Sequence, residues 1–439
     1  MLPADRKWAD LMDNYDFLIS GLNDDDVKVR LESLEKLMEE IRCGKMVRPE
    51  AGIDVNNHIH TFYSFSPYSP SKAVWTAYQS GLQTAGIMDH DSVSGAAEFI
   101  EAGKITGLAV TVGMECRTDF SKTPLAGHKI NHPDQVSTAY AAMHGIPHTS
   151  LNKIAGFMSG YARERGKRNR RIVENINQIF LPYGITIDYD ADIIPLSKSR
   201  EGGSITERHI LYALAKRLTE NFGRGEKLVR FLKDKINLKI PPKLEANLLD
   251  AGHGYYEYDL LGVFKGDFTA RFYIPAAAEC PDIREFLEFS KSIGAISAYA
   301  YLGDVGDSVT GDKVSQKFED DYLDLLFEVI SGLGFDAVTY MPTRNTLEQI
   351  RRVKTLCERY GLFQISGEDI NNPRQTFICN ALRQAEFRNL IDSTWALIGH
   401  EKSATEDIRK GMFSLRTVSK VPDLNERIQI YKKIGMAGR

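Results

Sequence analysis

Three short clusters in this chain carry groups that hold metal ions: His58-Ile59-His60, Met88-Asp89-His90-Asp91 and Gly113-Met114-Glu115. Each follows a short apolar or β-branched run, at 53–55, 84–88 and 108–112. Two histidines at i and i+2 on a strand end project to the same side, because side chains alternate with period two. A carboxylate and a further histidine from neighbouring strand ends complete a nest of nitrogen and oxygen donors of the kind zinc, manganese or iron prefers. His90 and Asp91 are read either as acid/base groups or as hydrogen-bond partners that orient His58 or His60.

The surrounding pattern supplies the elements that must position these groups. From residue 54 to about 132, short apolar runs alternate with helical stretches at 70–81 and 95–103, which predicts β/α units. Residues 150 to about 235 are dominated by helical patterns, at 151–171 continuing to 180, at 206–222 and at 225–236, and read as a helical insertion. Residues 240–280 are rich in glycine and tyrosine and give no assignable pattern. The β/α rhythm returns at 282, with strands at 295–301, 336–340 and 362–366, and helices ending near Ser292 and spanning 318–333 and 346–360. At the N-terminus, Leu31, Leu34, Leu37, Met38 and Ile41 fall at helical spacing behind a cap at Asn23 or Asp24, so residues 1–48 read as a helical packing appendage. The last fifty residues read as helical and polar. The expected division is 1–50, a barrel from 51–149 and 281–384, an insertion at 150–280, and a C-terminal helical segment at 385–439.

The composition bounds the function classes. A chain of 439 residues with 43% hydrophobic residues has material for a large core, and a net charge of -4 argues against a general nucleic-acid binder or an electrostatic membrane anchor. The five cysteines are scattered, with no C-x-x-C, which suits a reducing compartment. No stretch reaches the roughly 18 apolar residues a membrane span requires, and the first residues hold no apolar signal region, so a cytoplasmic protein is expected.

Taken together, Asp54-Val-Asn-Asn-His-Ile-His-Thr, Met88-Asp-His-Asp-Ser-Val-Ser-Gly, Gly113-Met-Glu and the late stretch Ile365-Ser-Gly-Glu-Asp-Ile-Asn371 resemble four ordered motifs of the PHP (polymerase and histidinol phosphatase) family. Arg168-Asn-Arg-Arg-Ile-Val-Glu-Asn and Thr206-Glu-Arg-His-Ile-Leu-Tyr are similar to the helical insertion of its nucleoside-phosphate phosphatase branch. The resemblance spans roughly residues 52–380. It implies a distorted (β/α)7 barrel with its metals at the C-terminal strand ends. It further implies a first metal held by His58, His60, Glu115 and Asp369. A second would share Glu115 and take His128, with Tyr301 standing where the family has a histidine. A third would use His90, with Phe65 and Asn371 in the other two ligand positions. One to two divalent ions (Mn, Zn or Fe) are the implied cofactor.

The remaining candidates bind rather than ligate. Arg163, Arg165, Lys167, Arg168, Arg170 and Arg171 form a basic run on a predicted helix, read as a solvated face from which the resemblance singles out Arg168 and Arg171 as substrate-phosphate ligands. Arg208 and His209 match an Arg-His element of the same branch and are expected in catalysis with His90 and Asp91. Lys129, Arg117 and Arg374 adjoin motif residues, while Tyr301 and Asn371 are expected to line the substrate site. His132, His144 and His148 read as loop residues, and His253 and His400 as surface. Asp304, Asp307 and Asp312 flank a turn at 306–311 that is either an active-site loop or solvated. The expected function is hydrolysis of a small phosphorylated metabolite, a nucleotide or sugar phosphate, by metal-activated water. Two alternatives stand beside it. One is a catalytically altered module that binds a ligand or partner; the other is a hydrolase of the same architecture acting on a non-phosphate bond.

Overall fold

The computed structural model describes residues 15–304 and 317–437. Seven strands form one sheet in sequence order: β1 (Val55–Ile59), β2 (Thr84–His90), β3 (Ala109–Asp119), β4 (Thr138–His144), β5 (Ile296–Ala300), β6 (Ala337–Tyr340) and β7 (Phe363–Ser366). A parallel bridge between Ile59 and Ile370 joins the last strand's end to the first, giving an α/β barrel. All neighbouring strands run parallel except at β4, which is antiparallel to both β3 and β5. The all-parallel β/α rhythm expected from sequence therefore breaks once. The reason is local: β3 reaches β4 without an intervening helix, and Thr138-Ala-Tyr-Ala-Ala-Met-His is too poor in β-branched residues to announce a strand.

Helices α1 (Val27–Arg42), α2 (Pro70–Gln79), α3 (Ala96–Thr106), α4 (Leu151–Phe180), α5 (Glu207–Phe222), α6 (Ile283–Ile293), α7 (Leu323–Leu333), α8 (Leu347–Tyr360), α9 (Arg388–Glu406) and α10 (Leu424–Met436) surround the sheet or extend from it. Their starts follow capping chemistry. Ser69 accepts the Lys72 N–H with Pro70 at the first position, and Thr346 with Gln349 forms a capping box. For α1 the cap is Asp26 rather than Asn23 or Asp24, because Asp24 accepts the Asp26 N–H and Asp26 the Lys28 N–H. The buried Arg30 of α1 forks onto Glu98 of α3 at 2.8 and 2.6 Å, which docks the N-terminal helix. Residues 1–14 and the turn at 306–311 with Asp307 and Asp312 lie outside the described residues.

Two cores flank the site. Outward-facing strand residues pack on the barrel helices. A second cluster runs from Ile172 to Phe272 and takes in Phe65 from the loop after β1. The segment 240–280, unreadable from sequence, contributes to it through short helices at Pro242–Leu249 and Tyr256–Val263, with Phe264, Phe268 and Phe272 buried. These elements are too short and too tightly linked to display a helical period. No helix among the described residues is long and apolar enough to cross a membrane, and all five cysteines are free thiols.

The C-terminal segment differs from its polar reading. Ala396 and Leu397 of α9 pack against Met88, Ala142, Ile296, Ala298 and Ile365 inside the barrel, opposite the motif residues. Glu401 Oε2 accepts Thr111 Oγ1 at 2.6 Å and the Val112 N–H at 2.8 Å, closing the base of β3. Helices α9 and α10 cross at Gly399 and Gly435; a Cβ at Gly399 would lie 1.9 Å from the Tyr431 carbonyl oxygen. His400 is buried here rather than at the surface, its Nδ1 accepting the Met412 N–H at 2.9 Å. His253 is half-buried beside Asp259 and Arg374, and His148 pairs with Glu401 at 2.8 Å.

Burial holds His144 and His209 neutral down to about pH 3 and His400 to about 4. Their unfolded value lies near 6.5, so each contributes stability above that pH and loses it as pH falls toward the folded value. Stability is expected to fall below about pH 6.5 by roughly 1.4 kcal/mol per unit for each such histidine, read from urea midpoints at about pH 7.5 and about pH 5.5. A flat profile over that interval would contradict it.

Candidate metal centre and cavity

The end of β1 is irregular. Asn56 pairs with Ala85 of β2, but Ile59 pairs with Ile87, so three steps on β1 oppose two on β2. Such a bulge re-aims side chains, and here it falls at His58. Asn56 fixes the bulge: its Oδ1 accepts the His58 N–H at 2.9 Å and the Glu368 N–H at 3.0 Å. Beyond it, the Ile370 N–H donates to the His58 carbonyl at 3.0 Å and the His60 N–H to the Ile370 carbonyl at 2.9 Å. The two strand ends approach closely at Gly367, where a Cβ would lie 2.6 Å from His58 Cβ. Asp369 is thereby delivered beside His60. On the other side, β2 and β3 run in register with His90 opposite Glu115.

These constraints bring five of the expected groups together. His58 and His60 face each other through Nε2 atoms 3.2 Å apart, and Glu115 Oε1 lies 3.5 Å from the first and 3.4 Å from the second. Asp369 Oδ1 is 3.1 Å from His60 Nε2, and His90 Nδ1 is 3.1 Å from Glu115 Oε1. His58, His60 and Glu115 form a compact group able to hold an ion. Donor atoms bonded tetrahedrally to one ion at about 2.0–2.2 Å stand about 3.3–3.6 Å apart. The observed spacings fit that geometry, and the donor chemistry suits zinc, manganese or iron.

The electrostatics agree with a cluster made for a cation. Burial opposes charge on Glu115, yet His58, His90 and His60 hold its carboxyl down at about 2. Burial opposes charge on Asp369 too, yet His60, His58 and Arg208 keep it ionised well below the usual range. Burial also disfavours a charged His58, but Glu115, Asp369 and Glu368 raise it to about 9. His90, which burial lowers to about 3, stays neutral. Behind the cluster, Asp89 accepts the Thr61 N–H at 2.7 Å, the Thr61 hydroxyl at 2.6 Å and the Ser64 hydroxyl at 2.6 Å. Ser64 Oγ stands 3.2 Å from His60 Nδ1, so a proton on Nδ1 donates to Ser64 and leaves Nε2 as the free donor atom.

A cavity of about 250 Å³ opens over the cluster. The barrel lines it with His58, His90, Glu115, Tyr140 and Asp369, and the residues between β4 and β5 with Thr206, Glu207, Arg208, Lys265 and Phe272. Three arginines stand at this junction. Arg117 pairs with Glu207 at 3.0 Å, Arg168 with Glu207 at 2.6 Å, and Arg165 with Asp91, while all three approach Glu279 Oε1 at 3.2–3.4 Å.

The other expected site residues fall in different places. Arg208 lines the cavity and donates to Asn371 Oδ1, while Asn371 Nδ2 donates to Asp369 Oδ1. Tyr301 lines the cavity with its hydroxyl committed to Asp320 at 2.6 Å. Asp91, at φ 56°, is tied to Arg165 and is not free to act as a base. His209 is a capping residue: its Nδ1 accepts the Thr206 N–H at 3.1 Å and its ring meets Phe65 edge-on. His128 packs on Tyr322 at 4.6 Å, and the Lys129 ammonium lies over the Phe318 ring; neither lines the cavity. Arg168 is spent on Glu207 and the Ile274 carbonyl. Arg171 is exposed, on the edge of α4 beyond the buried stripe of Arg165, Arg168 and Ile172.

Sequence reasoning missed Glu207 and Glu279, the anions that make the arginine run a buried lattice; the helical spacing of Arg165, Arg168, Asn169 and Ile172, which puts two of the arginines on the apolar face, was the available signal. His132 lies in the loop between β3 and β4, as its sequence reading has it. His132 lines the cavity, stacked on Tyr140 with rings 5.6 Å apart, and its Nδ1 accepts the Asp134 N–H. Replacing Asp89 with Asn breaks the chain of acceptors behind His60, and the affinity for Mn is expected to drop about 10–100-fold. A calorimetric Mn titration of the variant checks it, and an unchanged affinity would contradict the role.

No family model matches the chain, and no curated protein matches it. Solved structures are similar in fold. A protein from Bifidobacterium adolescentis, provisionally assigned as a metal-dependent phosphoesterase, matches at 19% identity with a TM-score of 0.47, covering 75% of this chain and 94% of that one. An amidohydrolase from Chromobacterium violaceum, solved with sulfate and no metal, matches at 15% identity with a TM-score of 0.47, covering 74% of this chain and 90% of that one. Likeness at this level concerns fold alone, and nothing below rests on it.

Proposed function

We propose that the chain is a metal-dependent phosphoesterase that hydrolyses a small phosphorylated metabolite, a nucleotide or sugar phosphate. The observation that carries the reading is the convergence of His58, His60 and Glu115, with donor atoms 3.2–3.5 Å apart and Asp369 3.1 Å from His60, at one end of a cavity that also presents Arg208. A divalent ion supplies, when bound there, charge neutralisation and a water acidified toward neutral pH. Arg208 binds and orients the phosphoryl oxygens through its guanidinium fork. His90 is neutral and lines the cavity, with Nδ1 3.1 Å from Glu115 Oε1 in the tautomer that carries its proton on Nδ1. Glu115 fixes His90 in that tautomer as well as serving as an ion-holding oxygen. The Arg117–Glu207–Arg168–Glu279 lattice keeps the cavity wall rigid and charge-balanced, which leaves Arg208 as the cation aimed at substrate.

A second reading, a ligand- or partner-binding module without turnover, draws support from Tyr301. Its hydroxyl is held by Asp320 and by its surroundings well above the ordinary phenol range, so it offers a metal no phenolate.

Metal analysis with a phosphatase screen separates the two. Purified protein loaded with Mn, Zn or Fe is expected to retain metal and to hydrolyse small phosphomonoesters. His58→Ala and Asp369→Ala are each expected to lose bound metal and at least about 100-fold in kcat/KM. Retained activity in both variants would sink the metal-centred mechanism, and tight metal without turnover on any phosphoester would favour the binding module.

A further inference from the structure

Arg208 sits where the cavity's charge is decided. It is the second residue of the 16-residue α5, in the first turn where the helix carries its positive end, and it lines the cavity. It donates to Asn371 Oδ1, and Asn371 passes the contact on through Nδ2 to Asp369 Oδ1, the oxygen 3.1 Å from His60 Nε2. Its charge also acts on Asp369 and on His90. Its guanidinium thus rests on one potential donor atom, Asn371 Oδ1, and shares the cavity lining with two residues that carry others, Asp369 and His90. An imidazole nitrogen, an amide oxygen and a carboxylate oxygen are ligand types for a cation.

We propose that Arg208 is that cation: a built-in positive charge that takes the place of a further metal ion and confines the centre to a single divalent ion. The inference rests on the metal-binding reading above. Charge balance supports it. Arg117, Arg165 and Arg168 are matched by Glu207, Glu279 and Asp91, whereas Glu115 and Asp369 form ion pairs with histidines alone among the described residues. One divalent ion neutralises both, and Arg208 then provides the surplus positive charge that a phosphate ester requires. A second divalent ion would stand against the guanidinium at a separation where like charges repel strongly. On this view Asn371 is a positioning residue that locks Arg208 to an ion-holding oxygen, rather than a contact to substrate.

The test is metal stoichiometry, which does not depend on turnover. Wild-type protein, Arg208→Ala and Arg208→Lys are saturated with Mn, desalted and analysed by inductively coupled plasma and native mass spectrometry. The expected result is about one Mn per chain for the wild type and for Arg208→Lys, and about two for Arg208→Ala, whose cavity exposes the vacated donors. About two Mn per chain in the wild type, or about one in a folded Arg208→Ala, would overturn the proposal. If Arg208→Ala does not fold, Arg208→Gln takes its place with the same expectation. A wild type that retains no Mn, Zn or Fe overturns the metal reading itself, an outcome separate from the failure of this one.

Discussion

The centre depends on how the barrel is closed. Strands β1 and β7 are far apart in sequence, and their junction is short: two backbone hydrogen bonds between residues 58–60 and Ile370, with Asn56 bonded to both sides. Asn57 adds a bond from its amide to the Ser366 carbonyl at 2.8 Å and another to Thr394 of the plugging helix. Three of the donor groups are referred to this seam. His58 and His60 leave from one lip and Asp369 from the other, so their spacing is set by backbone geometry rather than by side-chain rotamers. That is the property a metal centre needs, since rotamer freedom in the ligands would cost affinity.

A second constraint is the cost of burying charge. Three arginines and three carboxylates lie between the barrel and the helical residues that follow β4, and a buried ion is tolerated only when its partners are in place. Arg165, Arg168 and Glu207 come from α4 and α5, Arg117 from β3, and Glu279 from the return to the barrel. The lattice therefore joins three separated stretches, and removing any one member leaves a buried charge on another. Phe65 performs the apolar counterpart. Held at φ 88°, it leaves the loop beside the metal ligands and enters the core formed by residues 172–272.

Much of the arrangement was legible in the sequence, and the limits follow from physics. The clusters at 58–60, 88–91 and 113–115 follow apolar runs that became β1, β2 and β3, because a buried strand must be apolar and its end is where polar groups emerge. Helices α4, α5 and α8 were readable because each is long and amphipathic. Strand β4 was not, since alanine carries little β preference and the strand runs against its neighbours. His209 and Arg171 were assigned to the site on motif and charge, but the helix cap and the helix face decided otherwise. His132 is a loop residue as expected, but its place at the cavity was not legible: its ring is set by a stacking partner eight residues away, and contacts of that kind leave no period in the sequence. The role of α9 as a plug was hidden because its buried stripe mixes alanine, serine, threonine and glycine with the large apolar residues.

The reversal of β4 also bears on how such a chain changes over time. Because this strand runs downward, the chain leaves it at the base of the barrel, and the 30-residue α4 spans about 45 Å in returning to the mouth. The residues from 151 to 280 can thus be rewritten, lengthened or reshaped while the strand ends that hold the donor atoms stay fixed. The donor cluster and much of the cavity wall lie on separate stretches of one polypeptide, and the buried arginine lattice is the boundary between them.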